Sequence, residues 1–399
     1  MSEQGVAITG MGIISSIGNT VEENLNALIS SKKGIAPIVN IQTKHKDVIK
    51  VGEVLLTNEE LAERLGLIKE NNYSRTALLG CIAGKEALAN AKIRNIKEYR
   101  TGLISATSVG GMDMTEKYCN TFGSDIESQK YITSHHAGDS TQKIAKQLGI
   151  SEFVTTISTA CSSATNAIML GARLIKTGQL DRVVVGGTDC LSKFTINGFK
   201  TLMILSDTDC KPFDADRKGL NLGEAAAFIV LESNTVIQEQ KKEVLAFIAG
   251  YGNANDAYHQ TASSANGEGA YLAMQKALQV AGIKPEQVDY INVHGTATPN
   301  NDASEGAAIQ RVFGESIPDF SSTKAFTGHT LAAAGAIEAV YSILALKHNV
   351  IFPNLNFDNP IPEFGMCPVT EVKEKALHYV LSNSFGFGGN CSTLIFSKN

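Results

Sequence analysis

The chain has 399 residues, of which 43 % are hydrophobic and 19 % charged, and a formal net charge of −5. That length and apolar share suffice for one large core or two fused ones, and the low charge points to extensive internal or intersubunit burial. The acidic balance gives no general attraction to nucleic acid, no apolar run reaches the ~18 residues of a membrane helix, and seven cysteines without a Cys-x-x-Cys pair argue against a disulfide framework or a zinc site and for a reducing compartment.

In chain order, the strand Val6-Ala7-Ile8-Thr9 begins almost at once, so no signal or transit segment is expected and the location is read as cytoplasmic. Gly10-Met11-Gly12 follows like the start of a dinucleotide loop. Ser15 stands where the third glycine would fall, however, and no acidic residue closes a second strand ~20 residues on. Lys32-Lys33 and Lys44-His45-Lys46 are short basic runs, read as solvated loops.

From Ile157 to Ala164 a β-branched apolar strand gives way to an Ala- and Leu-rich helix, which places Cys161 at a helix start. The first N–H groups of a helix lack intrahelical partners and the peptide dipoles leave positive charge there, favouring a thiolate. An effect of up to ~2 kcal/mol is roughly 1.5 pKa units, enough to bring a reference thiol of ~8.5 near neutrality. A buried, inert cysteine is the competing reading.

Strands at Arg182–Gly187 and Ala227–Glu232 continue an alternation of β-rich and helical segments, which predicts an α/β fold with mainly parallel strands. The charged stretch Gln238–Glu243 is the best division, giving halves 1–240 and 241–399. In the second half a strand from Val288 ends on His294 and enters the turn Gly295-Thr296-Ala297-Thr298-Pro299, and the segment Phe320–Lys324 leads to His329, which opens a small-residue helix. This echoes the Cys161 join, since both place a reactive side chain where a strand feeds a helix. The strand Tyr379–Ser382 precedes Phe385-Gly386-Phe387-Gly388-Gly389, whose glycines admit close backbone approach. His45, His135, His136, His348 and His378 have no metal-like partners and are read as surface residues, and His259 as a structural hydrogen-bonder in its Tyr-His-Gln-Thr turn.

Ser-Thr-Ala-Cys161-Ser-Ser, His294-Gly-Thr-x-Thr, Ser-Ser-Thr-Lys324-x-x-x-Gly-His329 and the final Asn383-Ser-Phe-Gly-Phe-Gly-Gly389 occur in one order and at a spacing that resembles the elongating β-ketoacyl-acyl carrier protein synthases. Thr9–Gly12, Lys211–Asp214 through Gly223-Glu224, and Asp256–His259 extend the likeness over almost the whole chain. The resemblance implies an α/β, thiolase-like fold, in which two similar halves form a five-layered αβαβα core. It also implies a homodimer, an acyl carrier protein partner with its phosphopantetheine arm, acyl and malonyl thioesters as substrates, and no cofactor or metal.

By the same resemblance Cys161 is the nucleophile, and His294 and His329 polarise the thioester carbonyl. Phe387 gates the site and shares an oxyanion hole with the Cys161 N–H, while Lys324 and Glu338 shape the surroundings of the histidines. Thr261, Thr296 and Thr298 fall along a pantetheine tunnel, where hydroxyls bond a neutral amide arm without adding charge, and Val109, Phe199 and Phe385 contact substrate. The chain departs from the family at Asn390-Cys391-Ser392, at Lys218-Gly219-Leu220 and at Met203, where relatives often carry a basic carrier-docking residue. The expected reaction is decarboxylative condensation in fatty acid elongation. A specialised polyketide or polyene ketosynthase is the alternative, followed by a degradative thiolase, for which Cys391 would be the second thiol, and by a non-catalytic chain-length partner, against which Cys161 argues.

Overall fold

The computed structural model describes residues 5–398. Its first half runs β1 (Val6–Ile14), α1 (Arg75–Asn90), β2 (Thr101–Ala106), α2 (Ala137–Leu148), β3 (Phe153–Ile157), α3 (Ser163–Lys176), β4 (Arg182–Asp189) and β5 (Ala225–Glu232). The same series follows as β6 (Ala246–Asn255), α4 (Glu268–Ala281), β7 (Tyr290–Asn292), α5 (Pro299–Phe313), β8 (Asp319–Ser321), α6 (Ala334–His348), β9 (Tyr379–Gly386) and β10 (Asn390–Ser397), with shorter elements between.

The strands form one ten-stranded sheet in the order β8-β7-β9-β10-β6-β1-β5-β4-β2-β3. Each half has the same local order, and the halves meet where Val6–Ile8 pairs antiparallel with Ala246–Ile248. The mainly parallel sheet expected from the sequence is instead mixed. The β2–β3, β2–β4, β7–β8 and β7–β9 pairs are parallel, and the other five are antiparallel. For the β9–β10 pair the reason is local: the three-residue turn Phe387–Gly389 is too short for a crossover and returns the chain antiparallel.

Strand alternation separates the core into layers. Val183 and Val185 of β4 share one cluster with Ile168 of α3, Val340 of α6 and Val380 of β9. Val184, on the opposite face, packs with Leu79 of α1 and Ile144 of α2, while Leu381 of β9 packs with Met274 of α4 and Ile309 of α5. Two helical layers thus cover the outside and α3 and α6 lie between the two halves of the sheet, which makes the five layers.

Two sequence expectations change here. Gly10 and Gly12 lie inside β1 rather than in a loop: a Cβ on Gly10 would stand 2.5 Å from the Ala87 carbonyl oxygen, and one on Gly12 2.2 Å from that of Ala83. These glycines let α1 lie against the strand. The stretch Leu331–His348 is, by length and composition, apolar enough to cross a membrane, and 89 % of it is buried inside the protein. A helix apolar all round is what a central layer requires.

Replacing Gly12 with Ala forces the new methyl into the α1 backbone, for an expected loss of about 1–3 kcal/mol. Chemical denaturation reads this as a lowered midpoint, and an unchanged midpoint contradicts the packing account.

Candidate functional site

Cys161 sits between the end of β3 and the start of α3 on a sharp elbow. Ala160 takes a left-handed backbone conformation, with φ of 52°. The bend is braced by Ser163, whose Oγ donates to the Ala160 carbonyl at 2.5 Å and accepts from the Thr159 N–H at 2.8 Å. Such a conformation in a non-glycine residue is costly and persists only where its neighbours enforce it. The end of β9 lies directly on the elbow: a Cβ on Gly386 would stand 3.0 Å from the Cys161 nitrogen and 2.9 Å from the Thr159 oxygen. This close approach brings the Phe387 N–H near the Cys161 sulfur.

The two halves converge here. A ring nitrogen of His294, a ring nitrogen of His329 and the Cys161 sulfur all lie within 4.8 Å of one another, and all three residues are buried. The imidazoles are edge to face, with centroids 5.4 Å apart. His294 follows β7, and the Glu305 carboxylate on α5 holds its turn by accepting from the His294 and Gly295 N–H groups at 2.8 Å each. His329 precedes a short 3₁₀ turn, Leu331–Ala333, that leads into α6.

Hydrogen bonds fix both imidazole tautomers. The Leu331 N–H donates to His329 Nδ1 at 3.1 Å, and the Lys324 ammonium donates to His294 Nδ1 at 3.3 Å and to the His294 carbonyl at 2.5 Å. With both Nδ1 atoms accepting, each neutral ring carries its proton on Nε2. Burial first, and then the Lys324 charge, holds both rings well below the ordinary histidine range, so they are neutral donors. Lys324 itself is buried against Glu338 on α6. Burial, against the pull of the Lys324 ammonium, pushes the Glu338 carboxyl up to about 7.

A cavity of about 380 Å³ opens over the cluster. Cys161, His294 and His329 line it, as do Phe199, Phe385 and Phe387. The Phe199 and Phe387 rings stack with centroids 6.1 Å apart. Thr261, Thr296 and Thr298 line it too, Thr296 and Thr298 sharing a hydroxyl bond of 2.9 Å, and Met203 lines the cavity and is 88 % exposed. Lys324 and Glu338 stand behind His294, out of the cavity wall. Val109 does not line this cavity either: it packs on the cluster of Ile196, Leu220 and Leu331, of which Leu220 reaches the wall. Cys391 lines the cavity without joining the tight sulfur–imidazole group.

Sequence reasoning missed the two buried carboxylates of α5. Glu305 orders the His294 turn and also accepts from Asn383 Nδ2 at 3.1 Å, while Asp302 accepts from the Phe213 N–H at 2.8 Å and the Ala297 N–H at 3.1 Å. Their spacing, i and i+3 on a helix opened by Pro299, was the available signal. Among the histidines set aside, His135, His136, His348 and His378 are exposed, and His45 is half-buried.

The near-neutral thiol expected from the helix dipole is opposed by burial. Cys161 is only 7 % exposed, and burial pushes its thiol up to about 12, against the opposing pull of Lys324 and the Phe387 N–H. Desolvation disfavours a sulfur anion in this pocket, and the nearby Asp189 and Glu338 charges add to it. Alkylation of Cys161 by iodoacetamide is therefore expected to accelerate continuously from pH 6 to pH 10. A plateau near pH 7 would show a pre-formed thiolate.

Comparison with known proteins agrees with this geometry. Residues 3–236 match the family described as beta-ketoacyl synthase, N-terminal domain, and residues 245–358 its C-terminal domain. The chain is 34 % identical over 408 residues to 3-oxoacyl-[acyl-carrier-protein] synthase 2 of Staphylococcus aureus, covering 98 % of each. Among solved structures it is similar to the ishigamide ketosynthase/chain length factor, with a TM-score of 0.93 and 28 % identity over the full length of both chains. It also resembles a type II PKS ketosynthase solved with its acyl-carrier protein and a hexaketide, with a TM-score of 0.89 and 27 % identity over 99 % of this chain and 100 % of that one. The chain belongs to the β-ketoacyl synthase family and has its thiolase-like fold.

Proposed function

We propose that the protein is an acyltransferase of fatty acid elongation, condensing an acyl group held on Cys161 with a malonyl-acyl carrier protein to give a 3-oxoacyl-acyl carrier protein. The observation that carries this reading is the pair of neutral imidazoles whose Nδ1 atoms are both occupied as acceptors beside a buried thiol. Two ring N–H donors stabilise an enolate oxygen without repelling the malonyl carboxylate, as an ionised acidic residue would.

In the first step the Cys161 sulfur attacks the acyl thioester, and its proton ends on the departing carrier thiol. The Cys161 and Phe387 N–H groups hold the oxyanion, each donor contributing roughly 3 kcal/mol at the transition state. A malonyl thioester then enters past Phe387, along Thr261, Thr296 and Thr298. Its carbonyl oxygen accepts from His294 and His329 Nε2–H while carbon dioxide leaves. The resulting enolate carbon attacks the acyl-Cys161 carbonyl and expels the sulfur as a thiolate, which regains a proton from solvent. Lys324, Glu338 and Phe385 keep the imidazoles in place, and Phe199 and Leu220 bound the acyl chain, with Val109 in the cluster that backs them. No metal or redox cofactor is required.

The chain is read as halves 1–240 and 241–399 acting in the cytoplasm as a homodimer. Supporting the dimer, β3 is an edge strand that among the described residues pairs only with β2, and all five of its residues are half-buried, which suits pairing with a second copy. A carrier protein partner is supported by the relative named for acyl carrier protein substrates and by the neighbour solved with its carrier. A second reading, a ketosynthase of polyene or polyketide assembly, is favoured by the structural likeness to the ishigamide ketosynthase/chain length factor.

Intact-mass analysis after mixing with a panel of acyl carrier thioesters tests the reading directly. It predicts one acyl adduct on Cys161 and none in Cys161→Ala; an unlabelled native Cys161 overturns it. Preference for saturated chains marks fatty acid elongation, and preference for polyunsaturated or polyketo chains the second reading. His294→Ala is expected to lose malonyl decarboxylation, a fall of at least about 100-fold on the scale of a lost oxyanion donor, while still acylating at Cys161. Carbon dioxide release at the native rate by that variant contradicts the assigned role, and acetyl condensation without carbon dioxide release would mark a thiolase.

A further inference from the structure

Asp189 ends β4 with its carboxylate fully buried, and every donor it meets is a hydroxyl or an amide. One oxygen accepts from Thr107 Oγ at 2.5 Å and from the Val109 N–H at 3.2 Å. The other accepts from Ser108 Oγ at 2.6 Å and from the Ala332 N–H at 2.9 Å, and the Ser108 N–H reaches both at 3.1 Å. The donors come from two segments far apart in sequence. Thr107–Val109 is the loop after β2, and Ala332 lies in the 3₁₀ turn whose Leu331 N–H fixes the His329 tautomer.

These segments also touch through apolar contacts. Val109 and Leu331 belong to one cluster with Phe199 and Leu220, two residues of the cavity wall. Leu331 is held at a φ of 56°, a strained conformation for a branched side chain, so its turn has little stability of its own and depends on outside anchors. A buried carboxylate with this many donors is worth its desolvation only while both segments stay in register.

We propose that Asp189 is a specificity-setting positioning residue: its carboxylate locks the loop behind the acyl-chain wall to the turn behind His329, so that the chain accepted by Cys161 and the placement of the decarboxylating imidazole are set together. The inference rests on the ketosynthase reading above. It predicts that an acyl chain pressing on Phe199 and Leu220 displaces the Val109 loop packed with them and shifts the Ala332 turn through Asp189.

The test compares Asp189→Asn and Ser108→Ala with the native protein. Acylation rates are measured by intact mass over a series of chain lengths, and carbon dioxide release from a malonyl carrier thioester is measured separately, each corrected for folded fraction by circular dichroism. The carboxamide keeps the shape but offers one acceptor oxygen and brings two N–H groups among donors. In Asp189→Asn the ratio of best to worst chain length is expected to shrink roughly tenfold, with carbon dioxide release falling more than acylation by the best chain. Ser108→Ala, which removes one bond, is expected to move both quantities the same way by a smaller factor, and decides the matter if Asp189→Asn does not fold. Unchanged ratios, or one common factor across all chain lengths and both half-reactions, overturn the proposal. Failure of the native protein to acylate at Cys161 overturns the functional reading itself, and is thereby told apart.

Discussion

The site depends on one buried cation. Lys324 lies between the Glu338 carboxylate and the carbonyl and Nδ1 of His294, shielded from water on all sides. An ion pair taken out of water is weak evidence for stability, because desolvation offsets the attraction, but removing one partner strands the other at a cost of about 3–5 kcal/mol. Here the pair has a directional use. An ammonium has donors only, so the ring nitrogen facing it must accept, and the proton of His294 is confined to the side that faces the cavity. The same charge, with burial, keeps both imidazoles neutral.

The fold supplies the convergence through its internal repeat. In the first half the join between β3 and α3 carries Cys161, and in the second the join between β8 and α6 carries Lys324 and His329. Because α3 and α6 are neighbours in the central layer, the two joins open on one cavity. The third contribution comes from the β9–β10 turn, which the bare Cα of Gly386 lets rest on the nucleophile's elbow. Strain at Ala160 and Leu331 is thereby held by neighbours from the opposite half.

Much of this was legible in the sequence where chemistry and local structure coincide. The strand-to-helix change at Cys161, the strand ending on His294 and the small-residue helix after His329 each mark a side chain at an element end, and the structure puts all three side by side. What was not legible depends on burial, which spacing does not report. The dipole argument at Cys161 takes the thiol as exposed at a helix start, whereas the pocket buries it and burial opposes the anion. Glu305 and Asp302 look like surface residues of a polar helix until β7 and the Phe213 turn close over them. Strand direction was misjudged because alternating β and α segments are consistent with parallel pairing throughout, whereas the hairpin at Phe387–Gly389 is dictated by its length. Val109, which the resemblance sets against substrate, packs in the cluster that holds Phe199 and Leu220, and its N–H is tied to Asp189.

The claim that both rings are neutral donors through Nε2 is open to direct observation. Nitrogen-15 chemical shifts of the histidine rings at pH 7, with His294 and His329 assigned by substitution, report protonation and tautomer atom by atom. The account predicts, for both residues, a protonated Nε2 and an unprotonated Nδ1. An imidazolium, or a neutral ring with its proton on Nδ1, at either position would contradict it.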